Sequence, residues 1–251
     1  MTAPRGIDWA WATRTGGALS AAEKRRLIAP LAHVALRYPA ARLKLAAGRR
    51  GPGRLDLDSL VWPDSRLARD ATEEAREVLS AHVLQHSYRT YLFGLLLAQR
   101  GRIVVDHELM YITSMLHDTQ LEHPTEGRCF AVVGGERAER FCLDHGADAA
   151  YAAMVGAGVA GHITVGAADD LADPAGFVSA GAFADLTGFG LQHGQAEWVD
   201  AVHARYPRLG FRRHLLAALH AERRAMPTGR IQWLSRYGAF MLLIRAAPFA
   251  E

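Results

Sequence analysis

The sequence has almost no lysine. Lys24 and Lys44 are the only two in 251 residues, so the basic charge is carried almost wholly by arginine. With a formal net charge of only +3, that bias does not describe a nucleic-acid surface, and no nucleic-acid partner is expected. Arginines crowd only near the start, at Arg25, Arg26, Arg37, Arg42, Arg49 and Arg50, and that density reads as a solvated helical face. Cysteine is equally scarce. Cys129 and Cys142 supply neither a disulfide framework nor a Cys-x-x-Cys metal pair, which fits reduced thiols and a cytoplasmic location. Long apolar runs are missing too. Those at 91–98 and 239–244 fall far short of the roughly 20 residues that span a bilayer, so no membrane partner is expected. The first residues, M-T-A-P-R-G-I-D-W-A-W, lack the apolar core of a signal peptide. Sustained period-two alternation is absent as well, which removes β architectures, and no internal repeat is present.

What is present is helical periodicity. Half the residues are hydrophobic, enough to build a core for one large domain. Residues 1–19 carry little pattern and are expected to be loosely ordered. Ser20 with Glu23 three residues on forms a capping-box signature, opening a helix that runs to Tyr38, with Pro30 ending or kinking it. The stretch A-G-R-R-G-P-G-R at 47–54 is a break. Asp64 or Ser65 then caps a helical region in which Leu67, Ala71, Ala75, Val78 and Leu79 recur at helical spacing, continuing through Leu92–Leu97 to Gly101. Asp106 caps the next helix, which ends at His117-Asp118, and 119–130 read as a polar loop. Further helices are predicted at 134–145, 147–162, 174–191, 195–205, 211–225 and 230–245. The fold class is all-α, with residues 1–60 an N-terminal, partly helical extension and residues 61–251 a single helical-bundle domain.

His117-Asp118 closes the apolar stretch M-Y-I-T-S-M-L-H-D. A buried carboxylate loses hydration worth several kcal/mol, and an ion beside it restores that loss. Upstream, His86 lies in the apolar helix L-Q-H-S-Y-R-T-Y-L-F-G, and downstream Asp185 lies among small and apolar residues in G-A-F-A-D-L-T-G-F-G. These four residues make a candidate ligand set of imidazoles and carboxylates. Such a set suits Zn²⁺ best, with Fe²⁺ or Mn²⁺ as alternatives. Arg89 sits one turn after His86 on the same face, placed to pair with Asp118 or to hold a substrate anion. The remaining histidines, including His145, His203 and His214, read as surface or capping residues.

The order His86, His117-Asp118, Asp185 resembles the HD-domain superfamily of metal-dependent hydrolases. The strings P-D-S-R-L-A-R-D-A, Q-H-S-Y-R-T-Y-L-F-G, F-A-V-V-G-G-E-R-A-E-R-F and Y-P-R-L-G-F are similar to the cyanamide hydratase branch, over about residues 60–225. The resemblance implies an HD domain in which hydroxide generated on a divalent metal attacks a small nitrogen-containing compound, giving a urea-type product. The alternative within the superfamily is phosphohydrolysis of a nucleotide or other phosphoester. Asp118, His162 and Arg89 would be the catalytic residues. Thr119, Glu122, His123 and Phe130 would contact a small-molecule substrate. The chain departs from the branch before and after the His-Asp pair: Gln85 stands for an asparagine, Thr119-Gln120 for Ile-Gly, and Ala131 for a glutamate. The amphipathic N-terminal segment and the C-terminal W-L-S-R-Y-G-A-F-M-L-L-I-R are candidate surfaces for a homodimer, or a cover for the domain's own core.

Overall fold

Short polar side chains decide where six of the thirteen α-helices begin. In the computed structural model, which describes residues 6–251, Asp8 caps α1 (Trp9–Thr15), Ser20 caps α2 (Ala21–Arg26), and α3 (Ile28–Ala46) follows directly. Ser20 and Glu23 form the reciprocal capping box that their spacing predicts. Ser65 caps α4 (Arg66–Val78), Ser80 precedes α5 (Ala81–Gly101), and Asp106 caps α6 (His107–Leu116). Next come α7 (Phe130–Asp144), α8 (Ala149–Gly161) capped by Asp148, and α9 (Pro174–Thr187) capped by Asp173 with proline at its first position. The chain ends with α10 (Ala196–Arg205), α11 (Phe211–Ala225), α12 (Arg230–Tyr237) and α13 (Phe240–Arg245). The class is all-α. No strand forms among the described residues, and none of their helices is long and apolar enough to cross a membrane.

Several boundaries differ from those expected. Residues 6–19 are not loose: Trp11 is 1% exposed and packs with Phe130, Leu215 and Ile231 in one hydrophobic cluster, so the N-terminal segment is built into the core. Residues 1–5 lie outside the described residues. Pro30 does not end the first long helix. The break falls at Leu27, because proline offers no N–H to the Arg26 carbonyl four residues back and its ring crowds that carbonyl. Beyond Pro30 the helix continues through Pro39 to Ala46. α7 begins at Phe130 rather than 134, since Phe130, Ala131 and Val132 are buried and helical. α9 stops at Thr187 because Gly188 turns left-handed at φ 79°. The last predicted helix divides at Gly238-Ala239, where Ala239 has φ 51°.

Close helix contact sets up the site. α5 and α9 pack so tightly that a Cβ on Gly181 would collide with the Thr90 carbonyl. Asp185, one turn beyond Gly181, is thereby pressed toward His86, one turn before Thr90. A second buried carboxylate lies in α11. Glu222 is 1% exposed; its Oε1 accepts from the Phe130 N–H at 3.1 Å, while Oε2 has no hydrogen-bond partner among the described residues. Burial pushes its pKa up to about 6 from an ordinary 4.5, against the lowering influence of that N–H and of Arg230. Between those values the folded state holds a proton that the unfolded state releases, so stability falls as pH rises through this window. Glu222→Gln is expected to flatten that slope and to add up to about 2 kcal/mol at neutral pH. Urea denaturation at both ends of the window checks this; an unchanged slope would contradict it.

Candidate metal centre

Three imidazoles are held in the same tautomer. His117 and His162 are each the residue just past a helix, following α6 and α8. Each turns its Nδ1 back to the carbonyl three residues earlier, Ser114 O for His117 and Val159 O for His162, both at 2.6 Å. A carbonyl only accepts, so both Nδ1 atoms carry the hydrogen, and in the neutral rings both Nε2 atoms present a lone pair. His86, on α5, places its Nδ1 2.7 Å from Asp185 Oδ2. Asp185 is ionised, so its carboxylate also accepts, and His86 Nε2 is left as the acceptor.

All three Nε2 atoms face one carboxylate. Asp118 Oδ2 lies 3.2 Å from His117 Nε2 and 3.7 Å from His86 Nε2, and Oδ1 lies 3.6 Å from His162 Nε2. All four residues are buried. Donor atoms of His86, His117 and Asp118 lie within 4.8 Å of one another. His117 Nε2 makes no hydrogen bond among the described residues, and the Thr90 hydroxyl reaches His86 Nε2 only at 3.4 Å. Lone pairs aimed at a carboxylate in a buried site call for a cation between them. The spacing fits one: donors about 2.1 Å from a tetrahedral ion lie about 3.4 Å apart. The buried His86–His117–Asp118 cluster can therefore hold a metal ion.

Electrostatics around the cluster are strongly coupled. Burial opposes ionisation of Asp118, yet His117, His162 and His86 outweigh it and hold the carboxyl far below its usual range. Burial also disfavours charge on His117, but the adjacent Asp118 reverses the net direction and raises it. Burial lowers His86, only partly offset by Asp185. Burial and then the neighbouring His117 push His162 down to about 3. His162 is thus neutral near pH 7, and its Nε2 carries no hydrogen.

Asp185, expected as the fourth ligand, is not among the converging donors. Its carboxylate stands behind His86 and is claimed by two guanidiniums: Arg89 donates through Nε to Oδ1 at 2.8 Å and through an amino group to Oδ2 at 3.0 Å, and Arg208 donates to Oδ1 at 2.8 Å. Those cations hold its carboxyl well below the usual range despite burial. Asp185 therefore orients His86 and fixes its tautomer, a role whose loss in known sites weakens metal binding about 10–100-fold. Asp185→Asn is expected to weaken metal affinity by that factor, read by competition with a chelator. An unchanged affinity would contradict the placement.

The other expected site residues divide sharply. Arg89 is fully buried and spends its remaining amino group on the Tyr206 and Pro207 carbonyls at 3.0 and 3.1 Å, so it neither pairs with Asp118 nor meets a substrate. Thr119 is buried with its hydroxyl donated to Leu116 O. Glu122 accepts from Ser80 N–H at 2.9 Å and lies 2.6 Å from His214 Nε2, away from the cluster. His123 lies on the following loop, outside the cavity. Phe130 does line the cavity, edge-on to His162 with ring centroids 5.9 Å apart. Two contributors were not anticipated. Arg208, in the Y-P-R string, is the second clamp on Asp185, and Phe211 stacks on His86 at 4.6 Å. His203, read as a surface residue, also approaches Asp185, at 3.7 Å.

A cavity of about 360 Å³ opens onto the cluster. His86, His117, Asp118 and His162 line one part of it, and Leu215, Leu219 and Ile231 continue it outward. Among the described residues no lysine or arginine lines it. α3 and the C-terminal helices, considered above as a dimer surface or a cover, contribute its outer walls through Leu31, Val34, Leu234, Phe240 and Leu243. No signal in the sequence separates these from ordinary core positions.

No family model and no curated protein matches this chain.

Proposed function

We propose that the chain is a metal-dependent hydratase or hydrolase, with His86, His117 and Asp118 holding a divalent ion and His162 beside it. The observation that supports this most is the convergence of three Nε2 lone pairs, each fixed by a committed Nδ1, on one buried carboxylate. Zn²⁺ suits these borderline donors best, with Fe²⁺ or Mn²⁺ as alternatives. When bound, such an ion acts as a Lewis acid and lowers the pKa of water to about 7.

The chain's own residues supply orientation. Asp185, held by Arg89 and Arg208, keeps the His86 ring in place. Asp118 turns Oδ1 toward His162, whose neutral Nε2 faces the cluster as a hydrogen-bond acceptor that can orient a nucleophilic water. The walls beyond the cluster are mostly apolar. This constellation suits addition of water to a carbon–nitrogen bond, as the resemblance to cyanamide hydratases implies. The phosphoester alternative has less support. Phosphoryl chemistry needs cations on the transferred group, and the arginine nearest the cluster is already spent on Asp185.

Protein stripped with a chelator and reloaded with Zn²⁺, Fe²⁺ or Mn²⁺ tests the reading. Urea from cyanamide, amide from organic nitriles and phosphate from phosphoesters would be followed side by side. Hydration that vanishes on stripping and returns with one of these ions is expected. Full activity without metal would overturn the proposal, and metal-dependent phosphate release would favour the alternative.

A further inference from the structure

The cavity is far larger and more apolar than a substrate as small as cyanamide requires. Its polar groups gather at one end, where His86, His117, Asp118 and His162 meet. Of the four other hydroxyl side chains in the lining, Thr164 accepts from Arg230 at 2.8 Å and Tyr38 approaches the Thr187 carbonyl at 3.4 Å, while Ser179 and Tyr237 add isolated hydroxyls to otherwise apolar walls. Toward the mouth, Leu31, Val34, Phe183, Leu234, Phe240 and Leu243 are only partly buried, leaving apolar surface in contact with water. Such surface is costly unless something covers it. Among the described residues Asp118 is the only carboxylate in the lining, and no lysine or arginine lines it.

We infer that this cavity selects a neutral substrate with a predominantly apolar body and a single polar end group that reaches the metal cluster. A charge on the substrate body, away from the cluster, would lose its hydration against these walls with no side-chain partner in return. A neutral apolar body gains by transfer from water, at about fourfold in affinity for each buried methylene. An alkyl or aryl nitrile or amide has the required shape, with its carbon–nitrogen group at the cluster and its hydrocarbon toward α3 and α13. This inference rests on the cluster holding a metal, as proposed above.

Acetohydroxamate and octanohydroxamate share one metal-seeking head and differ in their apolar tail. Their binding to zinc-loaded and to zinc-stripped protein, measured by titration calorimetry, tests the inference. On the loaded protein the longer compound is expected to bind at least a hundredfold more tightly, a modest fraction of the full methylene gain. Ala35→Trp, at an exposed position of α3 that borders the mouth, is expected to reduce that preference at least tenfold while leaving acetohydroxamate binding intact. Leu234→Arg, at the mouth on α12, is a second variant expected to do the same. Circular dichroism confirms that each variant folds. Metal-dependent binding with equal affinity for both compounds would overturn the inference and leave the metal site standing. A chain-length preference undiminished by stripping would support the apolar cavity and overturn the metal reading instead.

Discussion

Arg89→Met is expected to destabilise the folded protein by about 3–5 kcal/mol, because it removes one partner of a fully buried ion pair. Asp185 would keep Arg208 but lose the bidentate fork of Arg89, and the Tyr206 and Pro207 carbonyls would lose their shared donor. For a chain of this length that corresponds to a fall of roughly 10 °C in melting temperature, which differential scanning calorimetry would read. Arg89→Lys should recover only part of the loss. An ammonium restores the charge, but it lacks the planar fork that meets both carboxylate oxygens and two carbonyls at once. A loss below about 1 kcal/mol, the range of an exposed pair, would contradict the account. The cost of this clamp is understandable only through His86: the guanidiniums hold Asp185 ionised, and Asp185 holds the imidazole.

His117→Ala carries the other large effect. His117 brings the shortest Nε2-to-carboxylate distance in the cluster, so its loss removes a donor and leaves Asp118 without its nearest partner. Metal binding should become too weak to survive dialysis. Lewis-acid assistance worth several kcal/mol would go with it, lowering metal-dependent turnover by about a thousandfold. His145 provides a matched control. Its Nδ1 also reaches back to its own helix, at the Phe141 carbonyl, yet it lies far from the cavity lining and stacks on Phe141 instead. His145→Ala should leave metal content unchanged and turnover within about twofold, as expected for a site away from the chemistry. Equal loss in both variants would point to general destabilisation rather than to a metal centre.

Much of the fold was legible because its signals are local. Ser20, Ser65 and Asp106 each begin the helix their capping chemistry predicts, since a side-chain oxygen meets backbone N–H groups only two or three residues away. His117-Asp118 was legible for a related reason. Two polar residues closing an apolar helix are conspicuous without any tertiary information. Asp185 marks where that legibility ends. A carboxylate among alanines and glycines plainly needed a partner, but the partners lie 99 residues away at His86 and 96 at Arg89, and spacing alone does not rank guanidinium against metal. Arg208, although part of the Y-P-R-L-G-F string, was given no role in the site, because nothing local separates an arginine after Tyr-Pro from a surface arginine until packing buries it to 4% exposure. The cavity was beyond reach for a different reason. Leu215, Leu219 and Ile231 have the periodicity of core residues, and whether the space between them is filled depends on how α3, α11, α12 and α13 meet.

The claim on which the rest depends is that the His86–His117–Asp118 cluster binds a divalent ion. Elemental analysis by inductively coupled plasma mass spectrometry, on wild-type protein and on Asp118→Ala purified in parallel, tests it most directly. A stoichiometric transition metal in the wild type and only traces in the variant is the predicted result. Metal-free wild-type protein that also fails to take up Zn²⁺, Fe²⁺ or Mn²⁺, or equal metal in both proteins, would contradict it.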